Sequence, residues 1–172
     1  MGKKTAMLGM LLAFALILGY VESLLPLPFG IPGMKLGLPN LSVLLTLYLF
    51  GGREALAVNL TRVMLSGFLF GNFSTVLYSL SGALFSFLIM SIGKRIKGLS
   101  ITGVSVAGGC AHNLAQVMVA VLITSTGQIL YYLPPLIACG SLTGFGLGLT
   151  ARGVLGHLPS EGPHRTEADS TR

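Results

Sequence analysis

Much of the chemistry this chain can do must pass through Arg62, a lone arginine inside the apolar stretch 54–70, with Asn59 three residues before it and Ser66 four after. Spacings of three and four place all three on one helix face. A guanidinium offers a fixed fork of five N–H donors and a permanent positive charge, suited to a carboxylate, a phosphate or another strong acceptor. A second stripe, Ser105, Gly109, His112, Asn113 and Gln116, repeats at helical spacing, and a third runs Ser74, Tyr78, Ser81 and Phe85. Two uses of these groups are open. In one, Arg62 anchors a small polar or anionic ligand, His112, Asn113 and Gln116 orient it, and Asn40, Asn72 and Tyr78 stand nearer the mouth of the site. In the other, Asn113, Gln116 and backbone carbonyls bind Arg62 as glue between helices, with no ligand at all. Glu22 is either a counter-charge or an interfacial residue.

The elements that must position these residues follow from composition. The chain is 52% hydrophobic and 9% charged, with mean hydropathy +0.82, whereas soluble domains carry about 25% charged residues. This is the make-up of an integral membrane protein. Its 172 residues hold several spans of about 20 residues and leave no room for a second, soluble domain. The net charge of +6 is scattered between apolar segments with no patch of interleaved aromatic and basic residues, so nucleic acid is not an expected partner. An arginine at membrane depth is costly and faces protein or a wet cavity, which makes Arg62 a site hypothesis in its own right.

Six spans are expected, at about 5–25, 38–50, 54–70, 73–92, 100–124 and 129–150, the second being short for a full crossing. The distribution of basic residues supports that count. With the N-terminus cytoplasmic, Lys3, Lys4, Arg53, Lys94, Arg95, Lys97, Arg152, Arg165 and Arg172 fall on the inner side, and Lys35 alone on the outer. The fold class expected is therefore an all-α integral membrane protein of the cell membrane, multi-pass, with six transmembrane helices and both termini cytoplasmic. The first span is longer than a usual signal-peptide apolar region and no A-x-A cleavage site follows it, so it reads as an uncleaved helix. The segment 26–39, with four prolines and three glycines, cannot be regular helix and reads as an outer loop, either a lid over the site or a plain connector. The domain reading is a membrane bundle over 1–152 and a disordered cytoplasmic tail over 153–172.

At about 1.5 Å per residue, Arg62 lies roughly 12 Å in from the cytoplasmic side, His112 roughly 18 Å, Gln116 roughly 24 Å and Glu22 roughly 26 Å. The polar groups thus run from the midplane to the outer surface, as a pocket opening outward would require. Glu22 and Arg62 are too far apart in depth to expect a direct pair. Cys110 and Cys139 are expected to be small core residues. Gly140, Gly144 and Gly148, at intervals of four, form a face for close helix packing, and Ala6, Gly9 and Ala13 form another on the first helix, for packing within the bundle or for a membrane partner.

The strings KLGLPNLSVLLTLYLFGGREAL from Lys35, TRVMLSGFLFGNFS from Thr61, YSLSGALFSFLIM from Tyr78 and SITGVSVAGGCAHNLAQ from Ser100 resemble the Gx transporter family, whose members are also labelled heptaprenyl diphosphate synthase component I. The resemblance covers about 8–153. Its HNxxQ-like element reads His112, Asn113, Leu114, Ala115, Gln116, and the usual GLAN reads Gly37, Leu38, Pro39, Asn40. The resemblance implies a six-helix bundle similar to the substrate-binding S components of energy-coupling factor transporters. In those the site lies toward the outer face, under the loop between the first two helices, and a small-residue face on the first helix meets a coupling subunit driven by two ATPases. Gly9 and Ala13 stand where that group tends to have paired alanines. The chain carries no G-x-x-x-x-G-K-[ST] motif, so ATP would be hydrolysed by a partner.

The synthase label carries its own requirement, since prenyl diphosphate synthases hold Mg²⁺ and diphosphate with clustered aspartates. This chain has five acidic residues, Glu22, Glu54, Glu161, Glu167 and Asp169, none clustered in the spans. A non-enzymatic role is expected, with no cofactor and no metal. The leading expectation is a substrate-binding subunit of a small-molecule transporter, among membrane lipids and energised by partner ATPases. The alternative is a noncatalytic membrane component of heptaprenyl diphosphate synthase or of isoprenoid and quinone metabolism, with a prenyl lipid as ligand.

Overall fold

The computed structural model describes residues 2–24 and 35–157. Its elements are α1 (Gly2–Leu24), α2 (Asn40–Leu49), α3 (Gly52–Phe70), α4 (Phe73–Gly93), α5 (Ile101–Thr124), a 3-10 turn over Gly127–Tyr132, and α6 (Leu133–His157). The described residues are all-helical, with six α-helices among them. Four of them, α1, α4, α5 and α6 with its preceding turn, are long and apolar enough to cross a membrane. The third helix has 19 residues, about 28 Å, but carries Arg53, Glu54 and Arg62. Most of the proposed lid, residues 26–34, lies outside the described residues.

Local chemistry sets the helix ends. Asn72 and Ser100 cap α4 and α5, each side chain accepting the backbone N–H three residues on, from Thr75 at 2.9 Å and from Gly103 at 3.1 Å. The α2–α3 turn runs through Gly51 at φ +102°, a conformation open to glycine.

The second helix organises the rest. Only ten residues long, about 15 Å, it is buried from Asn40 through Tyr48 and packs against each of the other five α-helices. Apolar on all sides, it belongs to the interior and not to a lipid face. Its Leu41, Val43, Leu44, Leu45 and Leu47 form the main core with Leu11 of α1, Met90 of α4 and Val104 of α5. The Ser42 hydroxyl donates to the Leu11 carbonyl at 2.5 Å, tying α2 to α1. At its C-terminal end Lys94 donates to the Leu47 carbonyl at 3.0 Å and lies over the Tyr48 ring, placing a cation where the helix dipole is negative. Because α2 is short, its N-terminal end stops well inside the bundle. The polar residues gather above that end.

The packing of α5 on α6 depends on glycine. A Cβ on Gly144 would lie 2.7 Å from the Ser105 carbonyl oxygen and one on Gly140 would lie 2.8 Å from that of Gly109, so the two backbones nearly touch. On α1 the buried residues Leu11, Ala15, Gly19 and Glu22 form one inward stripe, and Ala6, Gly9 and Ala13 face outward.

Two sequence expectations shift. Helix α6 continues through His157 because Ala151 and Leu155, four apart, are buried against the core, so the boundary expected at Gly153 falls within the helix; residues 158–172 lie outside the described residues. On α4 the buried polar face is Ser79, Gly82 and Ser86, while Ser74 and Phe85 point outward and Ser81 is half-buried.

Candidate functional site

The site is built around Asn40, the first residue of α2. Its side-chain oxygen accepts from Arg62 Nη2 at 3.2 Å, and its amide nitrogen donates to Ser86 Oγ at 3.1 Å and lies 3.5 Å from His112 Nδ1. One side chain thus joins α2, α3, α4 and α5. Arg62 Nε donates to Asn59 Oδ1 at 3.1 Å, and Asn59 in turn donates to the Ala83 carbonyl at 2.9 Å. The His112 ring is seated between two glycines. A Cβ on Gly82 would lie 2.7 Å from its Cε1, and one on Gly37 would lie 3.3 Å from its Cδ2.

Segment 35–39 roofs this cluster. The backbone N–H groups of Gly37 and Leu38 donate to Glu22 Oε1 at 2.5 and 3.2 Å, fastening the segment to α1. Two residues back, the Lys35 N–H donates to Gln116 Oε1 at 3.2 Å, fastening it to α5. Gly37 adopts φ +87°, and a Cβ there would lie 2.8 Å from Asn40 Nδ2, so glycine is required for both reasons. Burial pushes the Lys35 ammonium below its ordinary range, the Glu22 carboxylate draws it back up, and Arg62 lowers it again.

The electrostatics of the cluster are unbalanced. Arg62 is 4% exposed and Glu22 3%. No carboxylate lies within 4.0 Å of Arg62 among the described residues; Lys4 and Glu54 form an ion pair at the other end of the bundle. Among the described residues the guanidinium donates to two neutral amide oxygens, although buried charges are ordinarily paired. Four further buried atoms here or on the adjoining face of α5 have no hydrogen-bond partner among the described residues: Glu22 Oε2, His112 Nε2, Gln116 Nε2 and Asn113 Oδ1. Native interiors leave few such atoms, and several together mark a place where a ligand or water is expected.

Of the residues singled out from sequence, Arg62, Asn40, His112, Gln116 and Glu22 come together. Asn113 is turned away; its amide donates to the Leu136 carbonyl at 2.6 Å and packs on Gly140, so it joins α5 to α6. Tyr78 belongs to a smaller apolar cluster with Val117, Ala120 and Leu136. Asn72 is exposed and its oxygen is occupied by Thr75, beside a cleft of about 400 Å³ between the end of α3 and the start of α4. The glue expected for Arg62 from Asn113 and Gln116 is supplied instead by Asn59 and Asn40. Ser86 and Gly82 were not legible as site residues, because on a mostly apolar helix periodicity alone does not say which small residues face inward. The small-residue face of α1 borders a separate cleft of about 430 Å³ lined by Thr5, Gly9, Leu12, Arg53, Glu54 and Thr61. No group of three or more His, Cys, Asp or Glu that could hold a metal occurs among the described residues.

No curated protein and no solved structure is detectably similar to the chain. A family model described as heptaprenyl diphosphate synthase component I matches residues 11–154, which include every helix named above in whole or in large part. The chain belongs to the heptaprenyl diphosphate synthase component I family.

Proposed function

We propose that the chain is a noncatalytic, multi-pass membrane subunit that binds a small polar or anionic molecule at the Arg62 cluster, as the substrate-binding component of a transport system. The observation carrying this reading is a buried guanidinium with no carboxylate partner within 4.0 Å among the described residues, near unpartnered polar atoms beneath segment 35–39. With six crossings and both termini cytoplasmic, that cluster lies toward the outer face, where a solute to be taken up would arrive. The exposed face of Ala6, Gly9 and Ala13 supports contact with a membrane-embedded coupling subunit, and ATPases would be further partners.

A second reading is carried by the family description, which names a synthase component and says nothing of transport. On that reading the chain is the noncatalytic membrane part of a heptaprenyl diphosphate synthase, holding a prenyl lipid beside a catalytic partner. The paucity of acidic residues supports a partner as the seat of any Mg²⁺-dependent chemistry.

The two readings separate on gentle extraction of the protein from its native membrane, followed by mass spectrometry of bound small molecules and co-purifying polypeptides. A water-soluble molecule with coupling and ATPase subunits is the expected result. A prenyl lipid or a prenyl synthase, without those subunits, would replace the first reading with the second.

A further inference from the structure

We infer that the Arg62 cluster takes a zwitterion: a small molecule whose carboxylate, or another singly charged anionic group, meets Arg62 and Gln116, and whose ammonium group meets Glu22. This rests on the reading of the cluster as a ligand site and specifies the ligand's chemistry.

The groups already in place are complementary to such a ligand. A guanidinium has five N–H donors, and Arg62 uses one on Asn59 and one on Asn40, which leaves three for an acceptor. Gln116 is fully buried; its oxygen is engaged by Lys35, and its Nε2 is an unpartnered donor. Both call for acceptor oxygens. Glu22 calls for the opposite. Its Oε1 already accepts two backbone N–H groups, and its buried Oε2 has no partner, so the ligand must bring a donor there. The two calls belong to one site, because Gly37 bonds Glu22 and packs against Asn40, and Asn40 bonds Arg62.

Charge narrows the class further. Arg62 and Glu22 feel each other's charge, and Glu22 feels that of Lys35, without closing to ion-pair distance among the described residues, so the free guanidinium N–H groups and Glu22 Oε2 are each open to a charge-assisted contact from a ligand. A simple anion would leave Glu22 Oε2 unpartnered and would be repelled by it. A diphosphate, with several negative charges, would be repelled more strongly. A ligand with one anionic and one cationic end satisfies both.

The test uses the full chain purified in detergent and three matched probe sets: the proteinogenic amino acids, their N-acetyl derivatives, and the corresponding decarboxylated amines, with inorganic pyrophosphate added. Thermal stabilisation selects binders, and calorimetry then gives their affinities. At least one amino acid is expected to bind, with its N-acetyl and amine counterparts at least tenfold weaker. In Glu22→Gln the side-chain oxygen still accepts from Gly37 and Leu38, so the roof segment stays fastened, while the new amide N–H donates. That variant is expected to lose at least tenfold toward the amino acid and to gain toward its N-acetyl derivative. Equal or tighter binding of N-acetyl derivatives or pyrophosphate, abolished by Arg62→Met, would overturn the zwitterion assignment and leave the site reading standing. Stabilisation by none of the probes would overturn both.

Discussion

Replacing Arg62 with methionine separates a binding arginine from a structural one. The side chain donates two charge-assisted hydrogen bonds, to Asn59 at 3.1 Å and Asn40 at 3.2 Å. Such bonds contribute about 1.5–3 kcal/mol each, so roughly 3–6 kcal/mol is lost when both go. Against this stands the cost of keeping an arginine charge buried, several kcal/mol per ion, and no carboxylate within 4.0 Å among the described residues offsets it. Methionine fills similar volume with no charge to desolvate. The two contributions nearly cancel, and Arg62→Met is expected to change stability by no more than about 1 kcal/mol, an apparent melting shift within about 4 °C. The assay is thermal unfolding of the full chain in detergent, paired with ligand content of the purified protein. The expected outcome is near-normal melting with the bound molecule lost. A melting temperature lower by 10 °C or more, in a variant that retains its ligand, would refute the reasoning and make Arg62 the glue of the bundle.

Three further outcomes follow from packing and charge. Gly144→Ala places a methyl 2.7 Å from the Ser105 carbonyl oxygen and 2.8 Å from Val106 Cα, both backbone atoms that cannot yield without parting α5 from α6. A loss of about 1–3 kcal/mol is expected by thermal unfolding, while Gly146→Ala, which meets no atom within 4 Å, should be neutral or slightly stabilising. Lys94→Met removes a hydrogen bond to the Leu47 carbonyl and a cation over the Tyr48 ring, and should cost about 1–3 kcal/mol in the same assay. Gly9→Leu adds bulk on an exposed face where a Cβ meets nothing within 4 Å, so folding should be unchanged; on the transport reading, co-purification of a membrane partner falls, and unchanged recovery of that partner would count against α1 as the contact.

The stripes on α3 and α5 were legible because a polar residue in an apolar helix must find shelter, and Asn59, Arg62, Ser66, Ser105, His112 and Gln116 are all buried. The glycines of α6 were legible for a related reason: a run at intervals of four has few uses in an apolar helix other than close approach. What sequence could not supply was the direction of each stripe. Asn113 and Gln116 lie one turn apart, yet the first bonds α6 and the second the roof segment, a division fixed by which neighbours α5 meets. The role of α2 was hidden too. The segment 38–50 read as a short crossing, whereas burial by all five other α-helices makes α2 the core element whose early end leaves room for the cluster.

Central to the proposed function is a small molecule bound at Arg62 in the working protein. A high-resolution structure of the full chain extracted from its native membrane without stripping bound molecules tests it most directly. The expected result is density for a small molecule with acceptor atoms about 3 Å from the free guanidinium nitrogens and a donor at a similar distance from Glu22 Oε2. A cluster in which protein groups and water alone satisfy Arg62, Gln116 and Glu22 would contradict it.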